Sequence, residues 1–494
     1  MLLLALLAVP FVAALVSVLA RTRRAMETAN LAGFGVTFAL ALMVVSAVLA
    51  RGPVSVWGGF LYADSLSALV CLLTASVALL CAVYAVGYVR EDERSGLFED
   101  AAAGLWQFRK YYSLTPLFVC AMLLVALANN LGVMWVAIEG TTLTSVFLVM
   151  FYGKVTSLEA AWKYAIIGGV GLSMALFGTL LAYYSAHRLA GSDTLAGLNW
   201  SVLAAHAAEL DRTTMRLAFI LVLVGYGTKA GLAPMHTWKP DAYSEAPVPA
   251  AALLSSALLN CALYGLIRFY ILASRCLGAE FPGALLVLLG VLSMGIATPF
   301  ILLQRNLRRL LAYSSIDQAG IMAIALGLGS KLGALALMLH MTFHSVTKPL
   351  LFLCAGNVHQ HFKTDLFGKI KGGVLRTMPL TGGVFLMATL AVLGMPPFSM
   401  FQSEFLLVRA ALGGGHYLAT ALFVLFGAGI FGGAMFHVGG LVLGAGDGQP
   451  AVALRPWRDL SMLALAGVLV MLAFWLPAPL LELIRGAARV ITGD

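Results

Sequence analysis

Apolar residues along this chain come in blocks rather than in alternation. Runs of about 18 or more with few or no charges recur from one end to the other, and each makes a helix long enough to cross roughly 30 Å of hydrocarbon. Fourteen segments are expected, near 2–20, 30–50, 61–88, 111–129, 131–152, 160–185, 214–236, 247–272, 283–303, 307–328, 331–356, 378–411, 416–442 and 459–481. Two are interrupted. In 225-GYGTKAGLAPMHTWKPDAYSEAPVPAA-251, Gly231 and Pro234 follow Lys229; in 394-GMPPFSMFQSE-404, Gly394 and Pro396–Pro397 precede Glu404. Proline removes a helical donor and clashes with the preceding turn, so both helices should break, freeing backbone groups that only protein or cavity water can satisfy at that depth.

The two interruptions lie five segments apart, each beside an ionisable residue, which is the pattern of an inverted-repeat transporter. The expected fold is an all-α polytopic membrane protein of about fourteen transmembrane helices, with helices 7 and 12 broken. Residues 1–110 would hold helices 1–3, 111–272 a first five-helix repeat (helices 4–8), 283–442 a second, inverted repeat (helices 9–13), and 459–494 helix 14.

Composition agrees. With 61% hydrophobic and 11% charged residues among 494, a water-soluble domain could not hide its apolar surface. The first segment carries its charges (Arg21, Arg23, Arg24) after the apolar run, so it reads as a first helix with its N-terminus outside, not as a signal peptide. Of the 31 Lys and Arg residues, 19 fall in loops after odd-numbered segments or in the segment ends beside them, Arg305, Arg308, Arg309, Lys363, Lys369, Lys371 and Arg376 among them. Only 9 lie in loops or segment ends on the other side or in the tail, and Lys229, Arg268 and Lys348 lie further inside segments. The positive-inside rule then predicts a multi-pass protein of the cell inner (plasma) membrane with both termini on the outer side. The net charge of +9 is met by anionic lipid headgroups and implies no nucleic acid. Six cysteines form no CxxC pair, so no cofactor, iron–sulfur cluster or structural zinc is expected. The GxGxxG at 427–432 lies inside an apolar run with no strand before it and reads as helix packing.

Six ionisable residues remain at membrane depth: Glu139, Lys229, His340, His344, Lys348 and Glu404. Each costs a few kcal/mol or more there, so each needs a partner, a wet cavity or a function. Lys229 is the natural counter-charge for Glu139, either as a static pair that fixes packing or as a switch whose separation releases a proton. His340, His344 and Lys348 are spaced i, i+4, i+8, one above another on a helix face. Imidazole accepts a proton on one nitrogen and releases it from the other, so this line favours a relay. Metal binding is the rival reading, but no carboxylate or cysteine stands at ligand spacing.

These stretches carry a resemblance. The chain is similar, over nearly its whole length, to the antiporter-like proton-pumping membrane subunits of respiratory complex I, multisubunit sodium/proton antiporters and membrane-bound hydrogenases. The likeness is densest at 129–153, 225–268, 304–320, 340–357 and 394–404. It implies that Glu139, Lys229, Lys348 and Glu404 are the proton-bearing residues of helices 5, 7, 11 and 12. On helix 8, where many relatives offer Lys or His, 253-LLSSALLNCALYGLIRF-269 offers only Ser255, Ser256 and Asn260. The stretches 136-VAIEGTTLTSVFLVMFYG-153, 237-TWKPDAYSEAPVP-249 and 313-YSSIDQAG-320, with its acidic Asp317, look most similar to the hydrogenase-4 and formate hydrogenlyase type, component F in particular. Asp317 reads either as relay support or as a solvated residue near a helix end. Helix 14 is expected to be the last, with no counterpart of the lateral helix of the most distal complex I subunit.

The function these readings favour is proton translocation within a larger membrane complex. Other membrane subunits and peripheral redox subunits would be its partners, because this chain has no redox centre of its own. The alternatives are a cation/proton antiporter subunit, with Na+ as the coupled ion, and an energising subunit for uptake of inorganic carbon.

Overall fold

The apolar blocks become helices in chain order. The computed structural model describes residues 1–96, 101–186, 195–370, 373–445 and 455–493; Lys371 lies outside them. Helices α1 (Leu2–Leu19) and α2 (Arg23–Arg51) lead into a hairpin of β1 (Val54–Val56) and β2 (Leu61–Ala63). Then come α3 (Ser65–Arg94), α4 (Ala101–Leu127), α5 (Leu131–Val149), α6 (Val155–Ser185), the short α7 (Trp200–Ala205) and α8 (Arg212–Ala230). After an interruption, α9 (Trp238–Glu245) is followed by α10 (Val248–Leu253), a π turn over Leu254–Leu258 and α11 (Leu259–Leu277), which run on as one helix. The second half holds α12 (Glu280–Leu302), α13 (Leu307–Gly327), α14 (Lys331–Phe362), the short α15 (Val374–Thr377) and α16 (Pro379–Val392). It closes with α17 (Ser399–Gly413), α18 (Tyr417–Leu443), α19 (Pro456–Phe474) and α20 (Ala478–Thr492).

Side chains set many of the starts. Asp64, Asn130, Asp211, Asn306 and Ser330 each accept a hydrogen bond from an amide of the first turn of α3, α5, α8, α13 and α14. Both expected breaks are present. Helix α8 ends at Gly231 (φ 72°) and α16 gives way to Gly394 (φ 66°), left-handed positions that favour glycine. Among the described residues eleven helices are long and apolar enough to cross a membrane, and the protein is an integral membrane protein. The expected segments outside those eleven are α8 and α14, which carry the most polar cargo, and the α16–α17 pair, which the break shortens. The block expected at 459–481 divides instead at Trp475–Pro477 into α19 and α20. Proline pushes the residue before it out of the helical region.

The core lies off the lipid-facing rim. The 18-residue apolar windows of α10–α11 and α13 are wholly buried, against 33% for α1, α2, α12 and α18, which places the former at the centre of the bundle. Glycines bring two helix pairs into backbone contact. A Cβ on Gly225 of α8 would stand 2.6 Å from the Gly171 carbonyl oxygen of α6; on Gly290 of α12 or Gly320 of α13 it would stand 2.6 Å from the other's carbonyl oxygen. The GxGxxG at 427–432 belongs to α18, which packs on α12.

One loop ion pair pins the bundle. Asp365 accepts from Arg308 Nη2 at 2.6 Å and Nε at 2.8 Å. Burial raises the hold of the Asp365 carboxyl on its proton, but the Arg308 guanidinium and His359 outweigh it and keep that carboxyl well below the usual carboxylate range. The group's folded value is depressed, so its stabilisation is complete above about pH 5 and is lost progressively as pH falls below that. Replacing one partner strands a buried charge, so Asp365→Asn should cost about 3 kcal/mol. The gap in thermal midpoint between variant and wild type should be constant from pH 8 to about pH 5 and narrow in acid. A gap that stayed constant into strong acid would mean the carboxylate charge contributes nothing.

Candidate functional site

Polar groups gather at each helix break, and α14 joins the two gatherings. At the first break Lys229 stands in the last turn of α8, 1% exposed. Its Nζ donates to Thr142 Oγ1 of α5 and to Tyr164 Oη of α6, each at 2.7 Å. Ser145 Oγ lies 2.8 Å beyond Tyr164 Oη. The Tyr164 ring stacks on Trp238 at 4.4 Å, and Trp238 Nε1 donates to the Thr228 carbonyl, which ties α9 back to the end of α8.

Glu139, expected to pair with Lys229, is near but not in contact. The carboxylate lies in electrostatic range of the ammonium, yet the two form no salt bridge, and Glu139 Oε2 is buried without a hydrogen-bond partner. Neutral hydroxyls hold the ammonium in its place. What sequence spacing could not supply is the interhelical distance.

The second gathering centres on His340. Its Nδ1 lies 2.9 Å from Ser403 Oγ of α17 and its Nε2 2.8 Å from Gln318 Oε1 of α13. Gln318 Nε2 donates to Asp317 Oδ2 at 3.0 Å, which fixes the amide so that Oε1 faces the histidine. Nε2 of His340 is therefore a donor. Ser403 Oγ also bonds the Met400 carbonyl at 2.8 Å, so the hydroxyl has two acceptors to choose between: that carbonyl and a neutral Nδ1. Asp317 is not a solvated residue near a helix end; it is buried in α13, with Oδ1 unpartnered. It lies in electrostatic range of both Lys348 and Glu404.

The line of His340, His344 and Lys348 is on one unbroken helix, all three buried. Direct bonds do not link them. Lys348 Nζ donates to the Leu311 carbonyl at 3.1 Å, and both ring nitrogens of His344 lack a protein partner. The helix-8 candidates flank this gap. Ser255 and Ser256 lie in the π turn with hydroxyls on the Ala252 carbonyl, and Asn260 Nδ2 donates to Ser345 Oγ at 2.6 Å. Among the described residues no three His, Cys, Asp or Glu side chains converge as a metal site.

Three residues of these gatherings escape a reading of the sequence. Gln318 and Ser403 are neutral, and a neutral residue in an apolar segment costs too little to draw notice. Lys239 is the third. It counts as a loop charge when the segments are set at 214–236 and 247–272, but α9 buries it completely, so the tally of loop cations after odd-numbered segments loses one member. Its flanking Trp238 and the Tyr243 one turn on were the available signal.

The sequence profile of the NADH:quinone oxidoreductase/Mrp antiporter transmembrane family matches residues 128–430. A hydrogenase-4 component F homolog of Methylacidiphilum infernorum is 39% identical over 367 residues, 74% of this chain and 76% of that protein. NADH-quinone oxidoreductase subunit N of Desulforudis audaxviator is 31% identical over 373 residues, 75% of this chain and 70% of that one. In fold, the chain matches a subunit of the membrane-bound sulfane sulfur reductase, an archaeal respiratory membrane complex. The TM-score is 0.87 at 24% identity, covering 99% of this chain and 98% of that one. The broken helices, the buried lysines and these matches agree, and the chain belongs to the antiporter-like membrane subunit family that NADH:quinone oxidoreductase shares with the Mrp antiporters.

Proposed function

We propose that the chain translocates protons as one membrane subunit of a complex I-related redox assembly, of the hydrogenase-4 or formate hydrogenlyase kind. The observation that carries this reading is the pair of polar gatherings at two helix breaks, joined by the histidine–lysine face of α14. Lys229, held by hydroxyls that neither accept nor keep a full charge, is a site that gives up its proton when Glu139 withdraws its field. His344 and Lys348 follow. His340 then takes up and gives back a proton at Nδ1 through the Ser403 hydroxyl, while Nε2 stays a donor to Gln318 Oε1, and Glu404 stands at the far end. Ser255, Ser256, Asn260 and Asp317 support the path as polar lining.

Both end carboxylates are on partly exposed flanks. Glu139 shares α5 with the exposed Val136, Leu143 and Phe147, and Glu404 shares α17 with Phe401 and Phe405. This supports neighbouring membrane subunits on either side, with peripheral subunits supplying the redox chemistry. Purification of the complex through a tag on this chain tests the assignment. Nickel–iron and iron–sulfur subunits are expected, whereas small antiporter subunits or a zinc protein would replace this reading with one of its alternatives.

The proposed topology has about fourteen crossings in two inverted repeats (111–272 and 283–442) and both termini outside, supported by the cation asymmetry of the loops. Leu366, half-exposed in the loop after α14, then faces the cytoplasm. A membrane-impermeant maleimide should label Leu366→Cys in inverted vesicles and leave it unlabelled in intact cells; labelling only from outside reverses the topology.

A further inference from the structure

The path described so far has a gap between Lys229 and the α14 face, and the α10–α11 helix fills it with neutral groups only. One ionisable side chain does lie there. Lys239, the second residue of α9, is wholly buried, and among the described residues no carboxylate forms a salt bridge with it. Among the described residues its one side-chain hydrogen bond is from Nζ to the Ala230 carbonyl, the residue next to Lys229, and the Tyr243 ring lies 6.0 Å from Nζ. On its other side it lies in electrostatic range of His344 and Lys348. A buried lysine with no counter-ion is costly to keep as a structural element.

The placement repeats at the other break. Each break reads Gly-x-x-Pro, Gly231–Pro234 and Gly394–Pro397, with the glycine left-handed. A Cβ on Gly231 would collide with the Lys239 side chain, and a Cβ on Gly394 would collide with the Glu404 carboxylate. At both breaks, then, the glycine makes room for an ionisable side chain carried back from the helix that follows. Lys229 precedes its break; by position in the fold the counterpart of Glu404 is Lys239.

The groups around Lys239 leave this role free. Tyr164 of α6 is bonded to Lys229 and Ser145. Asp241 of α9 is held by Lys163 of α6 and Arg309 of α13. Glu139 of α5 is in range of Lys229, and Asp317 of α13 is bonded to Gln318. The Tyr243 hydroxyl donates to the Leu254 carbonyl at the π turn. His236 stands in the break, and on α14 there remain Lys348, bonded to the Leu311 carbonyl, and His344 with two unpartnered nitrogens.

We infer that Lys239 is a proton-carrying site between Lys229 and His344, taking the place that neutral Ser255, Ser256 and Asn260 leave empty on the adjoining helix. The inference rests on the proton-translocation reading above. In the step it performs, neutral Lys239 accepts on Nζ the proton that the Lys229 ammonium gives up, through intervening hydroxyls or water, and then releases one N–H proton toward a His344 ring nitrogen. Lys229 ends neutral, Lys239 returns to neutral and no electrons move.

The test uses the intact complex in sealed inverted vesicles, following acidification with a fluorescent amine on addition of the native electron donor. Lys239→Met should assemble and translocate about a hundredfold more slowly, the lower end of what a removed acid–base group costs. Lys239→Arg should be as slow, because guanidinium keeps its proton. Lys239→His keeps a protonatable group and should recover much of the rate with its pH profile moved toward acid. Arginine at the wild-type rate would make Lys239 a fixed charge capping α8 and overturn the proposal, as would an unmoved profile in the histidine variant, which also decides the matter should Lys239→Met fail to assemble. If Lys229→Ala is inactive while Lys239→Met runs at the wild-type rate, this inference alone fails; if both run normally, the proton-translocation reading fails with it.

Discussion

Lys229→Ala should stop proton translocation while the complex still assembles. The loss should be about a hundredfold or more, within the range that a single acid–base group supplies. The fold should survive, because the groups the lysine leaves behind keep other partners: Tyr164 retains Ser145, and Thr142 retains the Ile138 carbonyl of its own helix. Arginine should not rescue. It restores the charge but cannot let go of its proton at any relevant pH. The work required is modest. Moving one charge against 100 mV takes about 2.3 kcal/mol, which a change in proton affinity of roughly fiftyfold at one site would match. Glu139 lies close enough to act on Lys229 without contact, and it is the group whose approach and withdrawal would produce that change. Acidification of sealed vesicles at the wild-type rate by Lys229→Arg would leave the residue a structural counter-charge and remove the switch from this account.

Glu404→Gln should be nearly as damaging, about a hundredfold. Glutamine has the shape to lie over Gly394 as the glutamate does, so the break and the thermal midpoint should be unchanged while the proton site disappears. Ser403, the neighbouring residue, should keep its place beside His340. Glu404→Lys should retain part of the rate, since a buried lysine amine also takes up and releases protons. Equal rates for the wild type and the glutamine variant would take Glu404 out of the path.

Much of this was legible in the sequence because a membrane is a severe solvent. Apolar blocks announced the helices, and Gly231–Pro234 and Gly394–Pro397 announced the breaks, since nothing else explains such residues at that depth. The charges within the blocks announced themselves by cost. Features with no cost stayed hidden. Gln318 and Ser403 are cheap to bury, so the tether of His340 at both nitrogens could not be foreseen. Lys239 was hidden differently: the polar run Trp238–Glu245 resembles a loop until the fold is seen to pack it against α6 and α13. α20 was missed because its apolar residues occupy one side only, and its place against α3 and α14 depends on tertiary structure. The spacing of Glu139 and Lys229 was a matter of helix packing, which no single sequence discloses.

The glycine contacts between α6 and α8, and between α12 and α13, bear on how such a protein could work. Where backbones touch, a helix cannot slide or roll without driving its carbonyls into a neighbour, and packed interfaces of this kind do not deform gradually. The helix that carries Lys229 is clamped in this way, and so is the helix that carries Asp317 and Gln318. On the proposed path, the traffic of protons past them would be a matter of torsion angles and rotating hydroxyls, over distances of a few ångströms. A carrier that rocks between two faces needs loose seams; this one is riveted, and its cycle resembles the throwing of small levers inside a rigid frame.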